Sequence, residues 1–506
     1  MTVNAIIFTE LMTAINPPSR SAGAYRIASE IRKAGYTCQV IDFFTKFTPD
    51  EMLKVMETYI GADSLIVGFS STFFEKYDPA ARPKYATLQQ RNEVYTGSYP
   101  YSQEVMVEWI AAMRMINPAI KIVFGGIKTN NLSYLLSLST PGDAFAIGHC
   151  DRAIVEYMHF LEGKNPFFQF EKINDSQIAF HGSRNVGAFD FTESTIDWHH
   201  TDFLGAGEAV PIEIGRGCIF SCSFCSSPMT GKRKLEYVKK ESVLRDEFLR
   251  NYYEFGITRY LYSDDTHNDS VEKLERLHHV VTSLPFELEY AAYLRLDLIH
   301  ARKDTAVLLR ESGARSVYFG IESLYHPAAK SIGKGLRPDR AKETLYWLHD
   351  TVWKNEVGIN AGFIVGLPNE TPDTAEVWLN WLLDKSCPID GYELNVLMLS
   401  KLAGQVWTSD FQRNAAAHGY SFDEHGSWKN EFFTRASANE LVNKYIAAGS
   451  SIARARCGGW FPIMVSSLGF NPKDVIGRER QPFIENNKIS VLREDFISAY
   501  KHRLLA

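Results

Sequence analysis

The feature that most limits how this chain can fold is a rhythm, set out twice along its 506 residues, in which short β-rich apolar runs alternate with stretches of helical length. In the first 160 residues, apolar runs at 5–8, 38–43 and 64–69 are separated by amphipathic stretches at 22–34 and 51–59. A polar, Tyr-rich insertion covers 75–102. The pattern then resumes with a helix at 104–117, strands at 121–124 and 143–148, and a helix at 152–163. Such alternation predicts an α/β domain with a doubly wound, Rossmann-like parallel sheet, because a crossover between parallel strands normally carries a helix. Ligands of such sheets bind beyond the carboxyl ends of the strands. Gly125 and Gly126, directly after the 121–124 strand, fall at that edge.

Residues 165–210 mix Asn, Ser, Gly, Phe and His without period and read as a linker with little structure of its own. A second series then sets strands at 212–215, 260–263, 288–292, 316–321, 360–365 and 392–397, with helical stretches between most of them. Six βα units make an open, partial (β/α)6 barrel, whose chemistry belongs at the carboxyl-end face. Beyond 401 there are helix-like pieces with weak pattern. The expected organisation is a Rossmann-like domain over 1–164, a linker over 165–210, the partial barrel over 211–400 and a mainly helical C-terminal region over 401–506, whose role could be substrate-related.

Three of the seven cysteines, Cys218, Cys222 and Cys225, crowd into eight residues immediately after the first barrel strand. Three thiolates on one loop suit metal ligation in a reducing compartment better than a disulfide framework. Three ligands leave one iron of a [4Fe-4S] cubane open. A structural zinc site, the competing reading, wants a fourth Cys or His at comparable spacing; Cys150, Cys387 and Cys457 are isolated. A net charge of −6 gives no global basic excess for a polyanion, so nucleic acid is not an expected partner. The start of the chain does not read as a signal peptide, and no stretch approaches the roughly 20 apolar residues that cross a bilayer. A cytoplasmic protein without a membrane partner is expected.

The Cys218-x3-Cys222-x2-Cys225 motif, with Phe224 before the last cysteine, resembles the signature of the radical S-adenosylmethionine (SAM) superfamily. The resemblance implies a cluster whose open iron is chelated by SAM, and a 5′-deoxyadenosyl radical that abstracts hydrogen from a substrate. It also implies an external electron donor of flavodoxin or ferredoxin type. Phe224 joins the implied SAM contacts, as do four further segments. Ser263-Asp264-Asp265 stands where relatives bind the SAM amino group, although Asp264 or Asp265 also reads as an N-cap for a helix at 270–284. Arg295 suits the SAM carboxylate; a surface salt bridge is the other reading. Glu322, in Gly320 to Ser323, stands where relatives reach the ribose hydroxyls. Ile364, in GFIVGLPNET, stands where relatives pack on adenine, and is otherwise ordinary barrel core. Adjacent His199 and His200 receive no assignment.

A doubly wound domain directly before such a barrel resembles the cobalamin (B12)-binding radical SAM subfamily. The echoes are 21–42, VFGGI at 123–127, and 143–164, where Gly148-His149-Cys150-Asp151 stands in place of the usual Gly-Glu-Gly-Glu. The Asp-x-His-x-x-Gly motif for a lower cobalt ligand is absent. A Rossmann-like domain that has lost its ligand, with the two glycines as a plain tight turn, is the alternative. The resemblance implies three cofactors, a [4Fe-4S] cluster, SAM and cobalamin, the last held in part by Gly125 and Gly126. It implies a methyltransferase acting on an unactivated carbon of a small-molecule or peptide substrate. A cyclisation or rearrangement is the alternative chemistry, and an iron-sulfur electron carrier the non-enzyme alternative.

Overall fold

The computed structural model describes residues 2–10, 17–70, 103–127, 136, 142–185, 190–225, 237–399, 409–424, 426–451, 460–476 and 486–506. The insertion over 75–102 and Cys457 lie outside them. Two parallel sheets organise the fold.

The first sheet has the order β2 (Cys38–Ile41), β1 (Ala5–Phe8), β3 (Ile66–Ser70), β4 (Lys121–Ile127), β5 (Ala144–Ile147), β7 (Ile178–His181) and β6 (Glu171–Lys172). Only the β6–β7 pair is antiparallel. Alternate residues of these strands enter two different cores. Ala5, Ile7, Val40, Ile66, Val123 and Ala144 face the helices Ala22–Lys33 and Ala153–Leu161, in a core continuous with that of the second sheet. Ile6, Phe8, Ile41, Val67, Phe69 and Phe124 face Pro49–Tyr59 and Gln103–Ile116 and also the C-terminal helix Asn486–Leu505 through Ile497, Tyr500 and Leu504. The sheet is therefore doubly wound.

The linker expectation is corrected here. Residues 171–181 form the β6–β7 hairpin, which extends the first sheet beyond β5, with Ala179 paired to Phe145 and Phe180 buried. The polar turn between the two strands had hidden a strand of only four residues. Gly125 and Gly126 do not follow β4 but lie within it. Ser70 pairs with Gly125, and the register slips between Phe124 and Ile127 across Gly126 at φ +73°. This is a bulge in the strand rather than a tight turn.

The second sheet runs β8 (Val210–Ile212), β9 (Arg259–Tyr262), β10 (Glu289–Leu294), β11 (Ala314–Glu322), β12 (Gly358–Val365) and β13 (Gly391–Val396), parallel throughout and in chain order. This is the expected six-stranded open barrel. Val317, Phe319, Ile359, Ala361, Phe363 and Leu394 point outward to the covering helices. The alternate residues face the lumen, whose lower part is filled. Arg259 and Arg315 both bind Glu289, at 3.1 and 3.2 Å. Above that layer Ile463 and Met464, from a one-turn helix near the C-terminus, pack on Leu261 and Ala291. The C-terminal region is mainly helical, with Arg435–Ser451 and Asn486–Leu505 its longest helices.

The two sheets are joined by buried charge. Arg20, in the segment after β1, is fully buried and binds Glu208, just before β8, at 2.6 and 3.2 Å. It also donates to the Tyr25 hydroxyl at 2.7 Å, which donates to Asp42 at 3.1 Å, while the Tyr500 ring lies 4.9 Å from the guanidinium. Burial pushes the Asp42 carboxyl up to about 7 against the pull of Arg20. Breaking a buried ion pair on one side strands the other charge, at a cost of about 3–5 kcal/mol. Glu208→Ala should therefore lower the urea midpoint by an amount corresponding to that cost, measured by circular dichroism.

Candidate active site at the mouth of the barrel

The cysteine loop is shaped by an acid buried beneath it. β8 ends at Ile212, three residues before the expected strand would close, because the next amides turn away to side-chain and loop partners. Ile214 N and Gly215 N both donate to Asp264 Oδ1, at 2.9 and 3.0 Å, and Arg216 N donates to the Tyr237 carbonyl at 3.0 Å. The other Asp264 oxygen lies 2.7 Å from Lys273 Nζ and 3.4 Å from His267 Nδ1. Lys273 also binds Asp269 at 3.3 Å and donates to the Thr266 carbonyl at 3.1 Å. Asp264, His267 and Lys273 are all buried. Burial opposes the Asp264 charge, but Lys273, His267 and the loop amides overcome it and hold the carboxyl well below the usual range.

This corrects the expectation for Asp264. Its oxygens are committed to the protein interior, so it supports the loop and does not face a ligand. Nor is it an N-cap: the following helix, Val271–Thr282, is capped by Ser270, whose hydroxyl accepts from Lys273 N. Its neighbours Ser263, partly exposed, and Asp265, exposed, remain at the mouth.

Cys218, Cys222 and Cys225 are all partly exposed on this loop. Cys218 Sγ lies 3.3 Å from Thr266 Oγ1, and Cys225 N donates to the Cys222 carbonyl at 3.0 Å. Among the described residues no three His, Cys, Asp or Glu side chains gather closely enough to share one metal ion. A cubane asks for a different arrangement, since each thiolate binds a different iron. Three accessible sulfurs on one loop, flanked by an OH group and a guanidinium, fit that group. Cys38, Cys150 and Cys387 are buried, and burial pushes the thiols of Cys38 and Cys150 up to about 12.

Arg295 is buried rather than part of a surface salt bridge. Its backbone is fixed by a reciprocal pair of hydrogen bonds with the Asn268 side chain, at 2.8 and 2.9 Å. Its guanidinium binds Asp297 through two nitrogens at 3.1 and 2.7 Å, donates to Cys222 Sγ at 3.3 Å, and lies 4.0 Å from the Phe220 ring centroid. It thus grips the cysteine loop between sulfur and ring. Phe224 packs partly buried on the main core.

Across the lumen, Glu322 ends β11 in the left-handed region, φ +69°, at a register slip. Its carboxylate folds back over Gly320, where a Cβ would lie 2.6 Å from Glu322 Oε1. Burial pushes this carboxyl up, countered by Lys334 at 3.9 Å and by Arg295. Ile364 is partly exposed on the lumen side of β12, opposite Asn395. Below these, Tyr318 donates to Glu393 at 3.0 Å. Glu370 accepts from Ser323 Oγ, Gly366 N and Trp378 Nε1 at 2.9, 3.1 and 3.1 Å, tying the ends of β11 and β12 together. The sequence reading missed Lys273, Lys334, Glu370, Tyr318 and Glu393. Glu370 sat in view within GFIVGLPNET, whereas Lys334 and Glu393 carried no local signal.

The carboxyl ends of the two sheets meet at a second ion cluster. Asp151, just after β5, binds Arg216 through two contacts at 2.9 and 3.0 Å, and Arg216 also binds Glu213. Arg26, from the helix Ala22–Lys33, reaches Glu213 at 3.1 Å and Asp151 at 3.6 Å. Arg216 stands two residues before Cys218. Gly125, Gly126 and Gly148 lie at the same edge of the first sheet. A Cβ on Gly125 or Gly148 would meet no atom within 4 Å, and Gly126 and Gly148 have positive φ. Residues 11–16 and 71–102, in the segments following β1 and β3, lie outside the described residues. His199 caps a short helical turn and His200 lies against Phe255, so neither is drawn into the site.

Residues 212–382 match the family model of the radical SAM superfamily. The matched span is about a third of the chain and holds all three clustered cysteines. Over 166 residues it is 27% identical to an uncharacterized methyltransferase of Pyrococcus horikoshii, a match covering 33% of this chain and 35% of that protein. Over 283 residues it is 26% identical to the anaerobic magnesium-protoporphyrin IX monomethyl ester cyclase of Cereibacter sphaeroides, covering 52% of this chain and 44% of that one. The chain thus spans less than half the length of these curated relatives. In fold it is similar to the radical SAM methyltransferase TsrM of Kitasatospora setae, solved with cobalamin and a [4Fe-4S] cluster: TM-score 0.65, 13% identity, 98% of this chain and 100% of that one. It is also similar to the cobalamin-dependent radical SAM enzyme OxsB, with TM-score 0.59, 13% identity, and 99% and 71% coverage. The likeness to these two structures therefore takes in both sheets.

Two outcomes follow from the loop geometry. Asp264→Asn removes the charge opposite Lys273 and should cost about 3–5 kcal/mol. Because the native carboxyl titrates below the ordinary 3.8, its contribution is full above that value and is lost as the pH falls toward the native one. Urea denaturation at pH 7 and pH 3 should therefore separate wild type from D264N more widely at pH 7. Arg295→Lys cannot fork onto Asp297 and Cys222 together. In reconstituted protein it should shift the cluster midpoint potential to more negative values, read by redox titration with EPR detection, since an N–H donor to a ligating sulfur favours the reduced state.

Proposed function

We propose that this protein is a cobalamin-dependent radical SAM methyltransferase acting on an unactivated carbon of a small-molecule or peptide substrate. The observation that carries the reading is the Arg216–Asp151 contact, which sets the carboxyl edge of the first sheet against the cysteine loop. Each edge is where its fold type takes ligands. When bound, the cluster with SAM would supply hydrogen-atom abstraction and cobalamin a methyl group; the hard chemistry is the cofactors'.

This chain's own residues bind, orient and exclude water. Cys218, Cys222 and Cys225 would hold the cluster, with Arg295 fixing the loop. Ser263 and Asp265 line the mouth on the SAM amino side. Glu322 would accept from ribose hydroxyls, and Ile364 and Phe224 offer apolar contact. Gly125 and Gly126 fit a flat macrocycle close to the backbone: the space over Gly125 is open for 4 Å, and Gly126 takes the positive φ of the bulge. An external flavodoxin- or ferredoxin-type electron donor completes the proposal. The likeness to the cyclase supports a second reading, a ring-forming reaction run by the same residues.

Three variants test the assignment with separate readouts. Replacing Cys218, Cys222 and Cys225 together by Ala should abolish the brown absorbance of anaerobically reconstituted protein. Glu322→Gln should weaken SAM binding by roughly tenfold or more, from the loss of charge-assisted hydrogen bonds, with iron content unchanged. Gly126→Leu should lower hydroxocobalamin occupancy, read by its visible spectrum, again with iron intact. Wild-type protein that bound iron and SAM but no cobalamin would leave a radical SAM enzyme of another class.

A further inference from the structure

Glu393 is a second carboxylate in the lumen, and its surroundings differ from those of Glu322. By register Glu393 lies level with Gly362 of β12, and Gly362 level with Gly320 of β11. That level is two residues, or roughly 7 Å, deeper than Ile364 and Glu322. Glu322 has Lys334 as its counter-charge. Glu393 accepts a hydrogen bond from the neutral Tyr318 hydroxyl and, among the described residues, forms no ion pair.

The contact is built across three strands. Tyr318 stands on β11, Glu393 on β13, and between them Gly362 leaves the passage open: a Cβ there would lie 2.2 Å from the Tyr318 hydroxyl oxygen. Aromatic faces complete the wall. Tyr293 meets Tyr318 edge-on at 5.2 Å and lies 5.5 Å from Trp460. The Ile463 and Met464 plug forms the floor beneath. A carboxylate with no cationic partner among the described residues, half-buried beside aromatic rings, is the composition that recognises a cationic nitrogen. The carboxylate supplies charge-assisted hydrogen bonds, and the ring faces attract the same charge.

Resting on the methyltransferase reading above, we infer that the substrate is an amine-bearing molecule whose ammonium group is seated on Glu393, with Tyr318 as the positioning residue that orients the carboxylate. Its apolar body extends along Tyr293 toward the mouth. The ammonium end is held deepest, so the carbon presented to the radical is one remote from the nitrogen.

The test uses cluster-reconstituted full-length protein with SAM under anaerobic conditions, and three probes of similar size: phenethylamine, phenethyl alcohol and 3-phenylpropionate. Isothermal titration calorimetry at pH 7.5 should show the amine bound about tenfold or more tighter than the alcohol, with the carboxylate weakest, as a charge-assisted contact predicts. Glu393→Gln, nearly isosteric, should bring amine and alcohol to within about twofold of each other at constant iron content and SAM affinity. Tyr318→Phe keeps the carboxylate but removes the hydroxyl that orients it, and should narrow the preference for the amine to about threefold at unchanged iron content and SAM affinity. Equal binding of amine and alcohol in wild type, a preference that survives in E393Q, or tightest binding of 3-phenylpropionate overturns the inference. Dithionite-driven cleavage of SAM to 5′-deoxyadenosine separates the two readings. Cleavage without amine preference removes only the inference, and amine preference without cleavage removes the proposed function.

Discussion

Everything at the mouth of the barrel depends on one carboxylate that never reaches it. Asp264 binds two consecutive amides of the chain leaving β8 and is balanced from below by Lys273, so the path toward Cys218 is set by a charge pair inside the protein. A loop held only by its own turns would let three sulfurs wander. Here the backbone donors that a strand would have used for pairing are given to a fixed ion instead. The same lysine draws in Asp269 and the Thr266 carbonyl, and Thr266 places its hydroxyl beside Cys218. Position is transmitted from a buried ion pair to the Cys218 sulfur in three contacts.

A second constraint joins the halves of the molecule. Arg216 is held by Glu213 on its own side and by Asp151 from the first sheet, with Arg26 bridging both acids. Burial opposes the charges of Asp151 and Glu213, but Arg216 and then Arg26 outweigh it and hold both carboxyls below the usual range. The cysteine loop and the carboxyl edge of the first sheet are thus referred to a common point. This matters for any reaction in which two cofactors must address one substrate.

Much of the fold was legible in the sequence because its signal is periodic. All six barrel strands and five strands of the first sheet appear close to where the apolar runs set them. The β6–β7 hairpin escaped because two and four residues are too few to show a period, and its pairing is fixed by β5 rather than by its own composition. Gly125 and Gly126 were expected directly after the strand because a glycine pair looks alike beyond a strand end and in a bulge; only pairing with Ser70 distinguishes them. In the site, the three cysteines were readable as a local motif. Asp264 was misread because a polar triplet at a strand end does not reveal which side chain turns inward, which here is decided by Lys273, nine residues on. Glu393 and Tyr318, 75 residues apart, acquire meaning only when Gly362 stands between them.

The filled lower lumen has a consequence for the order of events. The layer of Arg259, Glu289 and Arg315, and the Ile463 and Met464 plug above it, fill the lower lumen, so a molecule entering at the mouth goes no deeper than the plug. Molecules that share the mouth as their doorway behave as a stack: the one that sits deepest must arrive first and leave last. A substrate resting near Glu393 would have to enter before the nucleoside closes over it, and its product would wait until the nucleoside fragments had gone. Turnover in such a vessel is governed by the sequence of departures at the doorway, and a slow exit there would be felt as inhibition by whatever lies on top.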